Sequence, residues 1–416
     1  MDHTLERELL LVSLNGNVDK ASALRFENLA ISDWENIVQQ AVRHGVTPFL
    51  YHRLKKHKTV IHVPALIQKE LRETYLHTLA RNIRLFHELS EVLSVFQKNA
   101  IPVIVLKGAY LAKFVYDNIA LRQMHDIDLL IREDDFSRGK EKLYKMGYHI
   151  WENDRSEEKN ERLKYPANFI KHGAFPLDIH LTVARPNRYF SFDGEDIWSS
   201  ARPVAIDDTG FLALSHENLL LHLCYHASFQ HKFRFGLRSL CDISETIHQY
   251  ANAINWKQVQ QRALQEGIVN YIYLTLRLAR ELLEAAVPEE VLEGMRPDGL
   301  DPQMIAMAKD QVFRFRDAIA ESPPFSTNLG QLYEDGSLKD KFLLLLKCIF
   351  PSPKFIAKKY SLSPRSIRIY FYYVIRLKDL LFQHSRSTWR LLLRDEEMLY
   401  LAKSEMDQIK LDDWLA

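Results

Sequence analysis

The chain has 416 residues, 47% hydrophobic and 26% charged, with 14 Gly and 15 Pro, which excludes a largely disordered or low-complexity protein and leaves room for two or three domains. A formal net charge of +1 excludes a global field that recruits nucleic acid, so any basic patch is local. Three widely spaced cysteines, Cys224, Cys241 and Cys348, exclude a disulfide framework and point to a reducing cytoplasm.

The first residues, Met1-Asp2-His3-Thr4-Leu5-Glu6-Arg7, lack the basic and apolar stretches of a signal peptide. Residues 1–97 read as a helical region. Asp33 is placed to cap a helix from Trp34 to His44 that ends at Gly45. Pro64 opens a pattern running to about Gln97, with apolar residues at Leu66, Leu71, Leu76, Leu79, Leu85, Leu89 and Leu93.

At residue 101 the period changes. Ile101–Leu106 reads as a strand, Ala109–Tyr116 as a short helix, Asp126–Ile131 as a second strand and Asp134–Met146 as a helix closed by Gly147. Asn168–Lys171 and Phe175–Leu181 read as two strands joined by a turn at His172-Gly173. Alternation in the last strand puts Phe175, Leu177, Ile179 and Leu181 on one face and Asp178 and His180 on the other. Residues 98–210 therefore form a small α/β unit, and 211–416 a second helical region, giving an α+β fold overall. The segment from Asp33 to Val46 aligns with that from Asn255 to Ile268. Both open on a capping residue and Trp, close on Gly and continue into an aromatic-rich helix. Two copies do not make a solenoid. The most apolar run, Phe342–Leu346, is cut by Lys347 and too short to cross a bilayer, so a soluble cytoplasmic protein without a transmembrane segment is expected.

The chemistry concentrates in the α/β unit. Asp126 and Asp128 sit one residue apart at a buried strand and so face the same way. Leaving them unpaired costs several kcal/mol unless cations join them. Hard divalent cations, Mg²⁺ or Mn²⁺, are the usual solution, with nucleotide phosphates completing the shell. Asp178, which also interrupts an apolar strand, is the candidate third metal ligand. Gly108 follows a strand and opens a helix, where backbone N–H groups face phosphate oxygens. Lys107 and Arg122 are the nearby cations for a triphosphate, and His180 shares the face of Asp178. Arg238 and Asp242 have the spacing of a helical i,i+4 ion pair. His222 and His226 share a helix face, with Cys224 and His231 nearby; helix packing, a cleft-lining role and a zinc site are the alternatives. The aromatic and basic stretch Ile367–Lys378 follows Lys354, Lys358, Lys359 and Arg365 and reads as a core helix or an anionic-ligand surface.

The order strand-Gly108, helix, Asp126-x-Asp128 and later Asp178 resembles the nucleotidyltransferase superfamily with the DNA polymerase β-like palm. The fuller string Leu106-Lys107-Gly108, Tyr116, Arg122, Asp126-Ile127-Asp128-Leu129-Leu130 and Asp178-Ile179-His180 is similar to an uncharacterised bacterial nucleotidyltransferase family, akin to abortive-infection and toxin nucleotidyltransferases. Gly108-Ala109 stands where the superfamily carries Gly-Gly or Gly-Ser, so a serine contact to phosphate is absent. The resemblance implies metal-dependent transfer of a nucleoside monophosphate from an NTP, with Asp126, Asp128 and Asp178 as catalytic metal ligands. Lys107, Gly108, Arg122 and His180 would then hold the nucleotide. A tRNA end, a peptide, a sugar phosphate or a protein hydroxyl meets the requirement for an acceptor. A nucleotide-binding scaffold and a metal-dependent phosphohydrolase are the alternatives, and no pattern assigns an oligomeric state.

Overall fold

The computed structural model describes residues 4–15, 25–27, 29–58, 61–151, 167–183, 194–206 and 209–314, with short pieces at 369–373, 375, 407–408, 410–411 and 413–415. The chain divides into two compact units, Met1–Leu300 and Asp301–Ala416. In the second unit a helix spans Pro302–Phe313, capped by the Asp301 carboxylate accepting from the Gln303 N–H at 2.8 Å. Buried Arg314 and Asp407 form an ion pair at 3.1 Å there. Of the aromatic-basic stretch, 369–373 and 375 are helical, with Ile369 buried and Tyr370 and Phe371 exposed. The rest of that stretch, the run Phe342–Leu346, the lysines at 354, 358 and 359, and Cys348 lie outside the described residues.

The first unit is built on one mixed sheet, as an α+β fold requires. Its strands are β1 (Val103–Val105), β2 (Ile127–Ile131), β3 (His149–Ile150), β4 (Ala167–Ile170), β5 (Leu177–His180), β6 (Arg202–Ile206) and β7 (Thr209–Ala213), in the spatial order β3-β4-β5-β2-β1-β7-β6. β2 is buried along its whole length, antiparallel to β1 and parallel to β5. The expected turn at His172-Gly173 joins β4 to β5, with Gly173 at φ +76°. The sequence reading does not anticipate the β6–β7 hairpin, because Pro203 interrupts its alternation. Proline is tolerated there since β6 is an edge strand.

Helices make up the rest of this unit's regular structure among the described residues. They are α1 (Thr4–Leu14), α2 (Ile31–Arg43), α3 (Thr47–Lys56), α4 (Ala65–Lys98), α5 (Lys107–Phe114), α6 (Phe136–Lys145), α7 (Gly194–Ser199), α8 (His216–Tyr225), α9 (Leu237–Gln249), α10 (Trp256–Gln265), α11 (Val269–Leu283) and α12 (Glu289–Met295). α4 lays Leu85, Leu89, Val92, Leu93 and Phe96 onto the core at helical spacing. Its first turns differ in part from the expected stripe: Leu71 is buried as expected, but Leu66 and Leu76 are exposed and Ile67 faces inward. Asp33 also differs from expectation. It is the third residue of α2, and its Oδ2 accepts from the N–H of Ala30, the residue that precedes the helix, at 2.8 Å.

The two aligned segments fold alike. In α2–α3 the turn is Gly45 at φ +66°, with the Val46 N–H donating to the Ala41 carbonyl at 2.9 Å. In α10–α11 it is Gly267 at φ +66°, with the Ile268 N–H donating to the Ala263 carbonyl at 2.9 Å. Both are left-handed glycine caps, the conformation a Cβ disfavours. Asn255 caps α10 through the Gln258 N–H, as its position suggested.

Candidate active site

All seven residues singled out from the sequence line one cavity of about 440 Å³: Lys107, Gly108, Arg122, Asp126, Asp128, Asp178 and His180. The β2–β5 register explains why. The parallel pairing sets Asp128 beside Asp178 and Leu130 beside His180, and the apolar alternation turns the two aspartates to the cavity while Leu177 and Ile179 are buried. Asp128, Asp178 and His180 bring their ligand atoms within 4.8 Å of one another, the only such group of three among the described residues. Asp126 stands outside that group. It precedes β2, is exposed and faces the same cavity.

Two bonds hold Asp128, and both land on Oδ1: Lys107 Nζ at 3.2 Å and His180 Nε2 at 2.7 Å. Oδ2 has no hydrogen bond among the described residues. Burial pushes the Asp128 pKa up, but Lys107 and the His180 bond outweigh it and hold the carboxylate well below its usual range. Asp128 is thus ionised, and His180 carries its proton on Nε2 and donates. Burial lowers the His180 pKa, against the pull of Asp128, so the ring is neutral. Burial and the charge of Asp128 both raise Asp126. Lys107 reaches Asp128 from the first turn of α5 at φ +35°, a left-handed backbone whose strain is on the order of 1–3 kcal/mol.

Arg122 lies differently from its expected place on a triphosphate. Its Nε and Nη2 donate to Asp242 Oδ1 and Oδ2, each at 2.9 Å, and Tyr116 OH adds a third bond at 2.9 Å. Asp242 is therefore the partner of Arg122 and not of Arg238, four residues before it, as the helical spacing suggested. A residue 120 positions away offers a bidentate fit that the i,i+4 geometry does not. The buried Asn82 amide of α4 donates to the carbonyls of Ile119 and Arg122 and fixes the loop that carries the arginine. Arg122 Nη1 covers Gly108, where a Cβ would lie 2.8 Å from it, so Gly108 is needed for close approach.

The opposite wall comes from the helical region, which the sequence reading placed near the site only through its histidines. A π-helical turn at His226–Gln230 follows α8, and π turns are frequent at functional sites. His226 Nε2 meets His231 Nε2 at 3.0 Å, and His231 stacks on Phe235 with ring centroids 3.7 Å apart. His222 is buried behind this wall, its pKa lowered to about 3 by burial, with Lys107 and His180 adding to the effect. Cys224 is buried, with its thiol pushed up by desolvation. Neither these histidines nor Cys224 joins the group that could hold a metal, so among the described residues nothing supports the zinc alternative. Gln230, Phe235 and Arg238 also line the cavity; the sequence marked Arg238 only by its spacing to Asp242, and Gln230 and Phe235 not at all.

A family model described as an uncharacterised nucleotidyltransferase matches residues 31–284. No curated protein matches the chain. A solution structure of the antibiotic-resistance factor ANT(2'')-Ia is similar at 13% identity, covering 45% of this chain and 96% of that one, with a TM-score of 0.31. Among the described residues, no helix is long and apolar enough to cross a membrane.

Proposed function

The chain belongs to the family of uncharacterised nucleotidyltransferases, and from that premise we propose that its cavity moves a nucleoside monophosphate from an NTP to an acceptor hydroxyl or phosphate, in a divalent-metal-dependent reaction. The observation that carries this reading is the pairing of Asp128 with Asp178 on neighbouring parallel strands at the cavity, with Asp128 hydrogen-bonded through Oδ1 alone among the described residues. Two carboxylates side by side repel unless a cation joins them. The donor set fits a hard divalent ion: Asp128 and Asp178 offer carboxylate oxygens, and His180, whose Nε2–H is donated to Asp128, fixes that carboxylate, the ligand atoms of the three lying within 4.8 Å of one another.

In this reading Asp128 and Asp178 hold the cation, which when bound would polarise the phosphoryl oxygens of the nucleotide. Asp126, at the mouth of the same group, supports a second cation. Lys107 exchanges Asp128 for a phosphate oxygen, and Gly108 lets the nucleotide approach the first turn of α5. Asp178 takes the acceptor's proton. The acceptor oxygen bonds to the α-phosphorus, the bond from that phosphorus to the bridging oxygen breaks, and pyrophosphate leaves.

The test uses NTPs labelled at the α- or the γ-phosphate, supplied with Mg²⁺ or Mn²⁺ and separate pools of RNA, peptides and sugar phosphates. Transfer of α-label alone, lost in Asp128→Asn, is the expected result. Transfer of γ-label, or acceptor-free release of phosphate, contradicts the reading and indicates a kinase or a phosphohydrolase.

A further inference from the structure

Among the described residues, three side chains bring positive charge to the cavity: Lys107, Arg122 and Arg238. Lys107 is bonded to Asp128, and Arg122 is clasped by Asp242. Arg238, from the first turn of α9, has no carboxylate within ion-pair distance among the described residues. It is not mobile for lack of contacts. Its guanidinium lies 5.7 Å from the ring centre of Phe235. Behind it is the α2–α3 corner, where a Cβ on Gly45 would sit 3.5 Å from Arg238 Cδ and 3.6 Å from Nη1. The N-terminal helical hairpin thus forms the backing of this one side chain. A partly buried guanidinium with ring and backbone packing but no anion is a receptor for an anion brought by the substrate, since removing its water without a partner is unfavourable.

Position decides which anion. The same Gly45 Cβ would lie 3.5 Å from Gln123 Oε1, so Arg238 shares this corner with the residue next to Arg122, and it stands one helical turn before Asp242, the partner of Arg122. It therefore lies toward the Gly108–Arg122 end of the cavity. We propose, resting on the nucleotidyl-transfer reading above, that Arg238 grips the terminal β- and γ-phosphates of the NTP, the part that departs as pyrophosphate. It would supply the phosphate contact that Ala109, buried and without a hydroxyl, does not. A phosphate on the acceptor is the other source of the same chemistry.

Calorimetric titrations with Mn²⁺ distinguish them, using NTP, NMP and inorganic pyrophosphate on wild type, Arg238→Gln and Arg238→Lys. The unliganded melting temperature of Arg238→Gln should match wild type, because no ion pair is lost. NTP and pyrophosphate should bind Arg238→Gln roughly 10–100-fold more weakly and NMP unchanged, with partial recovery in Arg238→Lys. Wild-type affinity for NTP in Arg238→Gln overturns the assignment and leaves nucleotidyl transfer standing. An equal loss for NMP also overturns it, placing the arginine on another phosphate. Pyrophosphate binding that needs Arg238, without NTP binding, keeps the anion site and removes the nucleotide reading. If wild type binds none of the three, both fall together.

Discussion

Two buried aspartates about the same cavity are held in opposite ways. Asp242 uses both carboxylate oxygens, accepting two bonds from Arg122 and one from Tyr116. Asp128 accepts from Lys107 and His180 on one oxygen, and its other oxygen has no hydrogen bond among the described residues. Both are less than a tenth exposed, so burial does not separate them. What separates them is satisfaction. A carboxylate with both oxygens engaged within the protein is a clasp, whereas one engaged on a single oxygen beside a second carboxylate has capacity for a cation and a phosphate. The comparison also explains why Arg122, expected as a phosphate ligand, acts first on the fold. It ties the loop before β2 to α9.

Substitutions can break this contrast. The largest effect is expected at the cavity pair: Asp128→Asn or Asp178→Asn should lower metal-dependent turnover by about 10³-fold or more, measured on protein shown to be folded. If Asp128→Asn kept full metal-dependent turnover, the assignment of the site would be wrong. The clasp should behave in reverse. Asp242→Asn leaves Arg122 buried with a lost charge partner and should destabilise the protein by about 3–5 kcal/mol. A variant that folds as well as wild type would show that the clasp is dispensable.

The anchoring of α9 sharpens the comparison further. Gly236 sits at φ +67°, and a Cβ there would lie 2.3 Å from His44 Nδ1, which accepts from the Leu237 N–H at 3.2 Å. Gly236→Ala should therefore cost about 2–4 kcal/mol, through left-handed strain and loss of the His44 contact. Equal stability of Gly236→Ala and wild type would show that the turn relaxes freely.

The smallest effect is a pH dependence. Burial lowers the pKa of His44 to about 3, with Arg7 and Arg43 adding to it, and His222 is likewise lowered to about 3. Both take up a proton on unfolding near 6.5, so stability is full above that pH and falls as pH drops toward 3. The slope is up to about 1.4 kcal/mol per pH unit for each group. Unfolding titrations at several pH values should show His44→Asn with a shallower slope by one proton. Parallel slopes for the two proteins would contradict a neutral, buried His44.

Much of the site was legible because a strand's period is short and local. Asp126-x-Asp128 and Asp178-x-His180 each declare their face within three residues, and all seven candidate residues do line one cavity. Partnerships across long separations were not legible. Nothing local links Arg122 to Asp242 or His44 to Leu237, and the i,i+4 rule favoured Arg238 for Asp242 only because it considers one helix at a time. The β6–β7 hairpin was obscured by Pro203, and the two-residue β3 is too short to show a period. Arg238 gained its meaning only when its expected partner proved to be taken.

The most direct test is the thermal stability of wild type, Asp128→Asn and Asp242→Asn with each of the four NTPs, with and without Mg²⁺ or Mn²⁺. The account predicts that wild type is stabilised by at least one NTP only when metal is present, by about 2.7 kcal/mol at 100 times the dissociation constant. Asp128→Asn should lose that stabilisation, while Asp242→Asn should start lower and keep a metal-dependent gain. Stabilisation that is independent of metal, or that survives intact in Asp128→Asn, would contradict the claim that the Asp128–Asp178 pair is the nucleotide site.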